Sequence, residues 1–569
     1  MSEAPLPPET AAPARTERPA RWLALAVIVA AVVSAGSVSW NRAFQIDEVE
    51  HMHAAYHVAS GRLPYVGFWQ LHDPLLYGLL GPITDARDPH TSYRRGRLLM
   101  LFLMLGTAGA AAMAAGRLAG PGAAALSGGL LVLHTTFVER GIEIRPDGLA
   151  AFLVTLALAL QLGEREERRL PAMLAGALLG LALLATKKTV FVAAIFGIWW
   201  LVRAWRRRRL APLAPALATV SVLALAVAAM LALGIFPAYV RATWLTSMEA
   251  AGGSEVWIPF QPTRFLAREG LRNLPFVALA GLGWFAAAIL HRCGDGLDRR
   301  LLFPALLAAG AVASLWLQPF PWPYTHLGIL PAVAVIAAAG TSRALGRVSP
   351  LLARHRWGVV AGILLLSGVV ASPRLLEKAS PDPGPRGQAR QLALLDEVQR
   401  STAPEDPVFD MAGLYFRPDA YPAYALSSDL LRLVHRGGLP PLIDELRARG
   451  VVALIVNYRV DWLQGEERDF FAYRFVHRTD NLFVLGADLA GAPAETDLPW
   501  EALAERPFRW EGPPGALSVD GRLFERGTLD RGIHVLRLRE SLEEGRLVLE
   551  TPPLLGQPRP SAPLYVQFD

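Results

Sequence analysis

Carboxylate and imidazole side chains are concentrated in one stretch, which runs from Asn41 to Tyr77 and directly follows the first long apolar segment. Its titratable residues are Asp47, Glu48, Glu50, His51, His53, His57, His72 and Asp73. Side chains of these types exchange protons with a substrate or hold it by charge. Aromatic residues are interleaved with them, which disfavours a loop suspended in water. The stretch therefore predicts a functional site beside a membrane face.

A helix is predicted within this stretch, because residues 47–60 have helical spacing and Gly61 follows them. Asp47, Glu50 and His51 then lie roughly on one face. We predict an amphipathic helix that lies on a membrane surface and presents this polar face to a site. The alternative is a solvated polar face without a function, which is the usual state of isolated acidic and histidine residues.

The composition indicates a membrane protein, since 53% of the 569 residues are hydrophobic. Several apolar runs are long enough to cross a hydrocarbon core of about 30 Å, which needs roughly 20 helical residues. We predict eleven spans, near 22–40, 98–116, 122–138, 147–162, 172–185, 190–203, 211–234, 274–291, 301–317, 326–341 and 357–372.

The arginines predict the orientation of these spans, because cytoplasmic loops carry the excess of positive charge. Almost all arginine clusters fall on one side if the N-terminus is cytoplasmic; Arg94, Arg95 and Arg97 are the exception. With an odd number of spans, the loop 41–77 and the C-terminal part both lie outside the cytoplasm.

Charge and cysteine content exclude some classes of function. The net charge of +6 does not indicate a nucleic-acid partner, because the arginines cluster at the ends of apolar runs. The single cysteine, Cys293, leaves no intrachain disulfide and no multi-cysteine zinc site. The sequence also lacks a Walker loop, a GxSxG elbow and an HExxH zinc motif.

Two lysines occupy the turn between two short predicted spans, 172–185 and 190–203. Each span has about 14 residues, or roughly 21 Å of helix, so the turn would be recessed in the bilayer. Lys187 and Lys188 would be costly there unless they pair with anions, and a phosphate-bearing ligand from the membrane is one such partner. The alternative, to which we give the same weight, is that both side chains extend to the lipid headgroups.

Two further outer loops carry candidate site residues. In the charged loop from Glu139 to Gly148, Arg145 and Asp147 are predicted to face a site, although the charges of this loop could instead pair with one another. A proline-rich stretch places Tyr324 and His326 at the mouth of the next span.

The sequence predicts a polytopic α-helical membrane protein with a C-terminal extracytoplasmic soluble part. Helical and strand patterns alternate after the last span, and short alternating runs follow them. The predicted divisions are a disordered cytoplasmic N-terminus at 1–21, a transmembrane domain at 22–372, a linker at 373–386, an α/β domain at 387–490 and a β-rich domain at 491–569.

The order of the motifs over residues 22–372 resembles GT-C glycosyltransferases. These polytopic enzymes include protein O-mannosyltransferases and aminoarabinose transferases of lipid A, and the likeness is to their large bacterial branch. The resemblance rests on Asp47-Glu48, Ile144-Arg145-Pro146-Asp147, Ala185-Thr186-Lys187-Lys188-Thr189 and the Pro-Tyr-x-His start of a late span. It implies a GT-C-like catalytic domain of about eleven transmembrane helices in a bacterial inner (plasma) membrane.

The resemblance also implies a reaction, an inverting transfer of a sugar from a polyprenyl-phosphate donor to an extracytoplasmic lipid, polysaccharide or protein. The family's catalytic aspartate maps onto Asp47, which would be the general base, with Glu48 beside it. The candidates for contact with the donor phosphate are Lys187, Lys188, Arg145 and His326. The remaining predicted substrate-binding residues are Glu50, His51, Tyr65, His72, Asp73, Asp147 and Tyr324.

No nucleotide is implied, and the only partners expected are the donor, the acceptor and membrane lipids. Some members of this family use a divalent metal; Glu50, His51 and His72 could ligate one, but their spacing is not diagnostic, so no metal ligand is assigned. Two other classes of protein stay open. One is a multispan transporter of a lipid-linked or small solute, and the other is a non-catalytic scaffold that binds envelope polysaccharide.

Overall fold

The computed structural model describes residues 17–163, 169–246, 248–249, 262–292, 298–317, 323–348, 355–381, 387–554 and 559–565. The chain divides into two compact units, and each unit is assembled from three separate segments. The first unit contains Met1–Trp40, Arg97–Ala229 and Trp257–Ser380. The second contains Asn41–Gly96, Met230–Val256 and Pro381–Asp569.

The first unit is built from apolar helices. The long helices of the chain that contribute to it are Glu17–Asn41, Pro89–Leu133, Pro146–Leu162, Arg169–Ala185, Val190–Arg207, Ala214–Ala232, Leu274–Arg292, Leu302–Leu317, Leu330–Val348 and Arg356–Ala379. Within the described residues, five helices are long and apolar enough to cross a membrane, and shorter apolar helices accompany them. Several of these helices expose large apolar side chains, as lipid-facing helices do.

Every predicted span coincides with helical residues, although the boundaries differ. The runs 98–116 and 122–138 meet in the long helix Pro89–Leu133, whose backbone leaves the helical region at Ala119 and Gly120. Gly120 has a φ of 80°, and Pro121 follows it with no N–H to continue the helical hydrogen bonds. The kink therefore has a local cause. The number of helices that cross the membrane stays a prediction.

The helices at the two ends of the predicted transmembrane domain extend past its predicted bounds, which stay a prediction. The first helix begins at Glu17, inside the stretch predicted as disordered, and residues 1–16 lie outside the described part of the chain. The last helix continues to Ala379, past the predicted end at 372, because Ala371 and Leu375 extend its buried face by a further turn. Residues 382–386 of the predicted linker also lie outside the described residues.

Small residues allow close helix packing in the first unit. The helices Leu274–Arg292 and Leu330–Val348 touch at Gly283 and Gly340, where a Cβ on Gly283 would lie 2.3 Å from the carbonyl oxygen of Ile336. Close backbone approach at glycine is a common way for apolar helices to associate.

The second unit contains two sheets. The strands are β1 (Val408–Phe409), β2 (Ala453–Ile455), β3 (Phe475–Thr479), β4 (Leu482–Asp488), β5 (Leu498–Ala502), β6 (Arg506–Glu511), β7 (Leu517–Val519), β8 (Arg522–Leu523), β9 (Arg526–Leu529), β10 (Gly532–Leu538) and β11 (Arg546–Leu549). A seven-stranded sheet has the order β1-β2-β4-β11-β6-β9, with β3 also paired to β4. A four-stranded sheet has the order β5-β10-β7-β8. β1 and β2 are parallel, and the other pairs are antiparallel.

Short helices accompany these sheets. They are Ile46–Ala59, Leu75–Leu80, Phe236–Val240, Gln388–Ser401, Ser428–His435, Leu442–Arg449 and Glu466–Ala472. β3 and β4 form a hairpin across a turn in which Asp480 has a φ of 54°. Gly450 follows the helix Leu442–Arg449 with a φ of 69°, the left-handed conformation that commonly ends a helix.

The boundary predicted at residue 490 does not separate two domains. β11 pairs with β4 through Arg546 and Asp488, and it pairs with β6 on its other edge. Strands from both sides of the predicted boundary therefore belong to one sheet. Alternation along a strand indicates which face is buried but not which strand is its neighbour, so the sequence could not reveal this pairing.

Candidate active site

The helix Ile46–Ala59 positions most of the predicted acidic and histidine residues. At its start, the backbone N–H of Gln45 donates a hydrogen bond of 2.9 Å to Glu48 Oε2, and the Gln45 side chain completes a capping box. The buried Glu48 carboxylate is therefore a helix cap. Asp47 points in a different direction, because successive helical residues are rotated by about 100°, and its side chain is 23% exposed.

The predicted helix is present but largely covered by protein, and its position on a membrane surface stays a prediction. Most residues of Ile46–Ala59 are buried, including His51, His53 and His57. A segment of the same unit, far along the chain, covers the helix, and Tyr424 Oη donates a hydrogen bond of 3.0 Å to the Glu50 carbonyl. The periodicity of the helix did not indicate this partner, because both of its faces carry polar residues.

Arg459 is a residue near Asp47 that the sequence did not single out. Its Nη2 lies 3.6 Å from Asp47 Oδ1. Its Nη1 donates a hydrogen bond of 3.0 Å to the Met411 carbonyl, and Asn457 Oδ1 accepts a hydrogen bond of 2.9 Å from its backbone N–H. These contacts hold a buried guanidinium beside the carboxylate. No local motif around Arg459 marks this role.

Glu50, His51 and His72 lie close together in the second unit. His72 Nε2 lies 3.5 Å from Glu50 Oε1, and the rings of His51 and His72 are 4.9 Å apart. His51 Nδ1 forms a hydrogen bond of 3.0 Å with Tyr77 Oη. Burial by itself raises the pKa of Glu50, but His72, together with His51 and Arg459, lowers it below its ordinary value. Glu50 is therefore a carboxylate at neutral pH.

The predicted residues Tyr65, His72 and Asp73 also meet. Tyr65 Oη donates a hydrogen bond of 2.7 Å to the His72 carbonyl. Tyr239 Oη donates one of 2.8 Å to Asp73 Oδ1, and its ring packs edge-on against Tyr65. Burial, and then the charge of Asp73, raise the pKa of Tyr239 to about 12, so the phenol stays a donor. Tyr239 is not among the site residues predicted from the sequence.

A second group of predicted residues converges within the first unit. Lys188 Nζ donates a hydrogen bond of 2.9 Å to Asp147 Oδ1. Tyr324 lies between two cations, with its ring centroid 4.2 Å from Lys188 Nζ and 3.7 Å from Arg145 Cζ. Cation–π contacts of this kind fix the directions of both charges. His326 is buried on the same short turn as Tyr324, Pro323–Gly328.

The lysine turn differs from its prediction in one respect. The helices Arg169–Ala185 and Val190–Arg207 have 17 and 18 residues. They are therefore roughly 26 Å long, longer than the roughly 21 Å of the predicted spans. Lys188 pairs with Asp147. A cavity of about 50 Å³ adjoins the pair, which is enough for a few water molecules but too small for a sugar.

The charged loop from Glu139 to Gly148 pairs largely with itself and with one neighbour. Glu143 accepts from Arg140 Nη1 at 2.7 Å and lies 3.1 Å from Arg145 Nε. Arg374 Nη2 donates a hydrogen bond of 3.0 Å to Glu139 Oε2. The alternative of internal pairing therefore describes most of this loop, whereas Asp147 is committed to Lys188.

A different set of residues has the arrangement of metal ligands. The imidazole nitrogens of His53 and His57 and the carboxylate oxygens of Asp419 lie within 4.8 Å of one another, and all three residues are buried. Burial by itself raises the pKa of Asp419, but the two imidazoles lower it. The i, i+4 spacing of His53 and His57 was a visible signal that the sequence analysis did not use. Nothing around Asp419 marked the third residue.

Comparison with known proteins gives a likeness of fold. No family model and no curated protein matches the sequence. The solved structure of ArnT from Cupriavidus metallidurans bound to undecaprenyl phosphate matches with a TM-score of 0.57 and 15% identity, over 81% of this chain and 97% of ArnT. Its apo structure matches with a TM-score of 0.55 and 16% identity, over 82% and 97%.

A more distant likeness is to the apo oligosaccharyltransferase of Archaeoglobus fulgidus, with a TM-score of 0.47 and 12% identity over 80% of this chain and 73% of that one. That score is too low to carry an argument. The likeness to ArnT is one of fold.

Proposed function

We propose that this protein is a membrane glycosyltransferase that moves a sugar from polyprenyl phosphate to an acceptor outside the cytoplasm of a bacterial cell. The observation that carries the proposal is the fold shared over nearly the whole length of ArnT, which was solved with undecaprenyl phosphate bound. The acceptor is a lipid, a polysaccharide or a protein.

Asp47 is the proposed general base. The acceptor hydroxyl attacks the anomeric carbon of the donor, Asp47 takes the hydroxyl proton, and the bond to the phosphate oxygen breaks with inversion. Arg459 Nη2, 3.6 Å from Asp47 Oδ1, places a positive charge beside the proposed base. Glu48, which caps the helix, holds the backbone that carries Asp47.

The leaving group is a lipid phosphate, which needs positive charge more than it needs a proton. Lys188 and Arg145 are the proposed phosphate ligands, because the Tyr324 ring already directs both cations. The phosphate competes with Asp147 for the Lys188 ammonium. Lys187 and His326 complete the proposed set.

The remaining predicted residues are proposed to contact the sugar or the acceptor. Glu50 and Asp73 are carboxylates whose present partners are His72 and Tyr239. Carboxylates held in this way accept hydrogen bonds from hydroxyl groups. His51, Tyr65, His72, Asp147 and Tyr324 belong to the same proposal.

The test is a transfer assay with purified protein in lipid nanodiscs. A panel of labelled polyprenyl-phosphate sugars is offered together with cell-envelope extract, and the Asp47→Asn variant is the matched control. Release of polyprenyl phosphate together with labelled product in the wild type alone supports the proposal. Uptake of intact labelled donor into sealed liposomes without release would identify a transporter. Binding of envelope polysaccharide without release would identify a scaffold.

A further inference from the structure

Three buried side chains of the second unit converge outside the proposed catalytic residues. His53 and His57 lie four residues apart on one face of the helix Ile46–Ala59. His53 Nε2 is 2.6 Å from Asp419 Oδ1, and His57 Nε2 is 2.9 Å from Asp419 Oδ2. The two histidine side chains are fully buried, and that of Asp419 is 6% exposed. The proposed reaction uses none of the three.

The backbone partner of His53 determines which ring nitrogen carries a proton. Nδ1 lies 2.6 Å from the Tyr415 carbonyl oxygen, which can only accept, so Nδ1 is the donor. A neutral His53 then presents the lone pair of Nε2 to Asp419 Oδ1. Two acceptors 2.6 Å apart repel each other unless a proton or a metal cation lies between them. Donation of Nδ1–H to a backbone carbonyl is the usual arrangement of a metal-ligating histidine.

His57 has a compatible geometry. Its Nε2 is close to Asp419 Oδ2 but is not aligned for a hydrogen bond. Its Nδ1 lies 3.4 Å from Nη1 of the exposed Arg62. With a metal on Nε2, the one N–H of the neutral ring is on Nδ1, so this arginine must turn away toward solvent, where it has room to move.

Aromatic side chains surround the three residues. The rings of Tyr415 and Tyr424 lie 4.5 and 4.6 Å from that of His53, and Phe68 stacks on His57 at 4.8 Å. Aromatic shells of this kind limit the access of bulk solvent to metal sites.

The loop after β1, which precedes Asp419, passes close to the helix Ile46–Ala59. The Asp410 carboxylate accepts the backbone N–H groups of Ala412, Gly413 and Leu414. Gly413 has a φ of 94°, and a Cβ there would lie 2.7 Å from His53 Cβ. The loop therefore comes as close to His53 as its backbone allows, which a preorganised ligand site requires.

We propose that His53, His57 and Asp419 bind a structural zinc ion that fastens the helix carrying Asp47 to the C-terminal segment. Two imidazoles and a carboxylate suit zinc, and tetrahedral ligation places ligand atoms about 3.3 Å apart. The carboxylate must then move outward by roughly half an ångström. A water molecule or the Tyr415 hydroxyl, 3.4 Å from Asp419 Oδ1, takes the fourth position.

The first test is the zinc content of the full-length protein, purified in nanodiscs without a polyhistidine tag or chelator. Elemental analysis should find about one zinc ion per chain. His57→Ala and Asp419→Asn should each lower the zinc content at least tenfold, since even outer-shell changes cost about 10- to 100-fold in affinity. His534→Ala is the matched control, because it removes another histidine that is paired with an aspartate, at 2.7 Å from Asp520. Its zinc content should equal that of the wild type.

The second test measures the thermal stability of the wild type, so its main result does not require a variant to fold. A zinc chelator should lower the thermal unfolding midpoint of the wild type, and added zinc should restore it; Asp419→Asn should respond to neither. The proposal would be overturned if the wild type contained less than about 0.1 zinc per chain and added zinc did not stabilise it. A proton, and not a metal ion, would then lie between His53 and Asp419. Neither measurement involves a sugar donor, so the result is independent of the proposed reaction.

Discussion

At the scale of single residues, adjacent carboxylates on one helix have different environments. Glu48 is buried in a capping box, whereas Asp47 is partly exposed beside Arg459. The sequence predicted Asp47 and Glu48 as a catalytic pair, because a motif gives the residue types but not the directions in which the side chains point. Arg459 and Asp419 could not be predicted, since each reaches the helix from more than 360 residues away and neither lies in a recognisable motif.

Substitution of Asp47 tests the base. Asp47→Asn keeps the size of the side chain but cannot accept a proton, so turnover at saturating donor should fall by about 10²-fold or more, equivalent to roughly 3 kcal/mol of barrier. Expression and donor binding should change little. Glu48→Gln is the control; it should change stability and turnover little, because an amide oxygen at this position can still accept the Gln45 N–H. Near wild-type transfer by Asp47→Asn would refute the base assignment.

Substitution of Lys188 tests the phosphate ligand. Lys188→Ala should weaken donor binding and also destabilise the fold, because Asp147 loses its partner. The double variant Lys188→Ala/Asp147→Asn removes the unpaired charge, so stability should recover while donor binding stays weak. Binding is measured by titration with labelled donor. Wild-type donor affinity in the double variant would show that Lys188 is only half of an ion pair.

At the scale of elements, local patterns predicted helices and turns but not their partners. The helix Ile46–Ala59, its end at Gly61 and the β3–β4 hairpin follow from spacing and turn residues. The loop after β1 buries that helix, and this contact could not be predicted, because the loop has no periodic pattern. The same limit explains why β11 joins the sheet of β4 across a predicted domain boundary.

Gly413 tests how closely the loop after β1 approaches the helix. Gly413→Ala combines a positive φ with a Cβ 2.7 Å from His53 Cβ, so it should destabilise the second unit and lower its zinc content. Gly437→Ala is the matched control, because Gly437 has a φ of 75° but nothing within 4 Å of a new Cβ. It should cost only the backbone strain, about 1–2 kcal/mol. Equal unfolding midpoints for the two variants would argue against the close contact.

At the scale of the whole molecule, hydropathy predicted the membrane helices because each apolar run is a local signal. The runs coincide with helices, and the fold matches that of ArnT over most of both chains. Orientation in the membrane rests on the arginines alone and stays a prediction.

A reporter fusion tests this orientation. The last apolar helix ends at Ala379, so the fusion point should follow Ser380. A reporter that works only outside the cytoplasm should be active there, since eleven spans that begin inside end outside. A matched fusion after Arg209, in a predicted cytoplasmic loop, should be inactive. Activity of a cytoplasm-only reporter after Ser380 would contradict the predicted number of spans.

The most direct measurement of the central claim is the stoichiometry of transfer by the purified wild-type protein. Labelled polyprenyl-phosphate sugar is supplied with envelope acceptor, and free polyprenyl phosphate and labelled product are quantified over the same time course. The account predicts that the two appear in equal amounts and that the product has the inverted anomeric configuration. Intact donor throughout the time course, with every sugar of the panel, would contradict it.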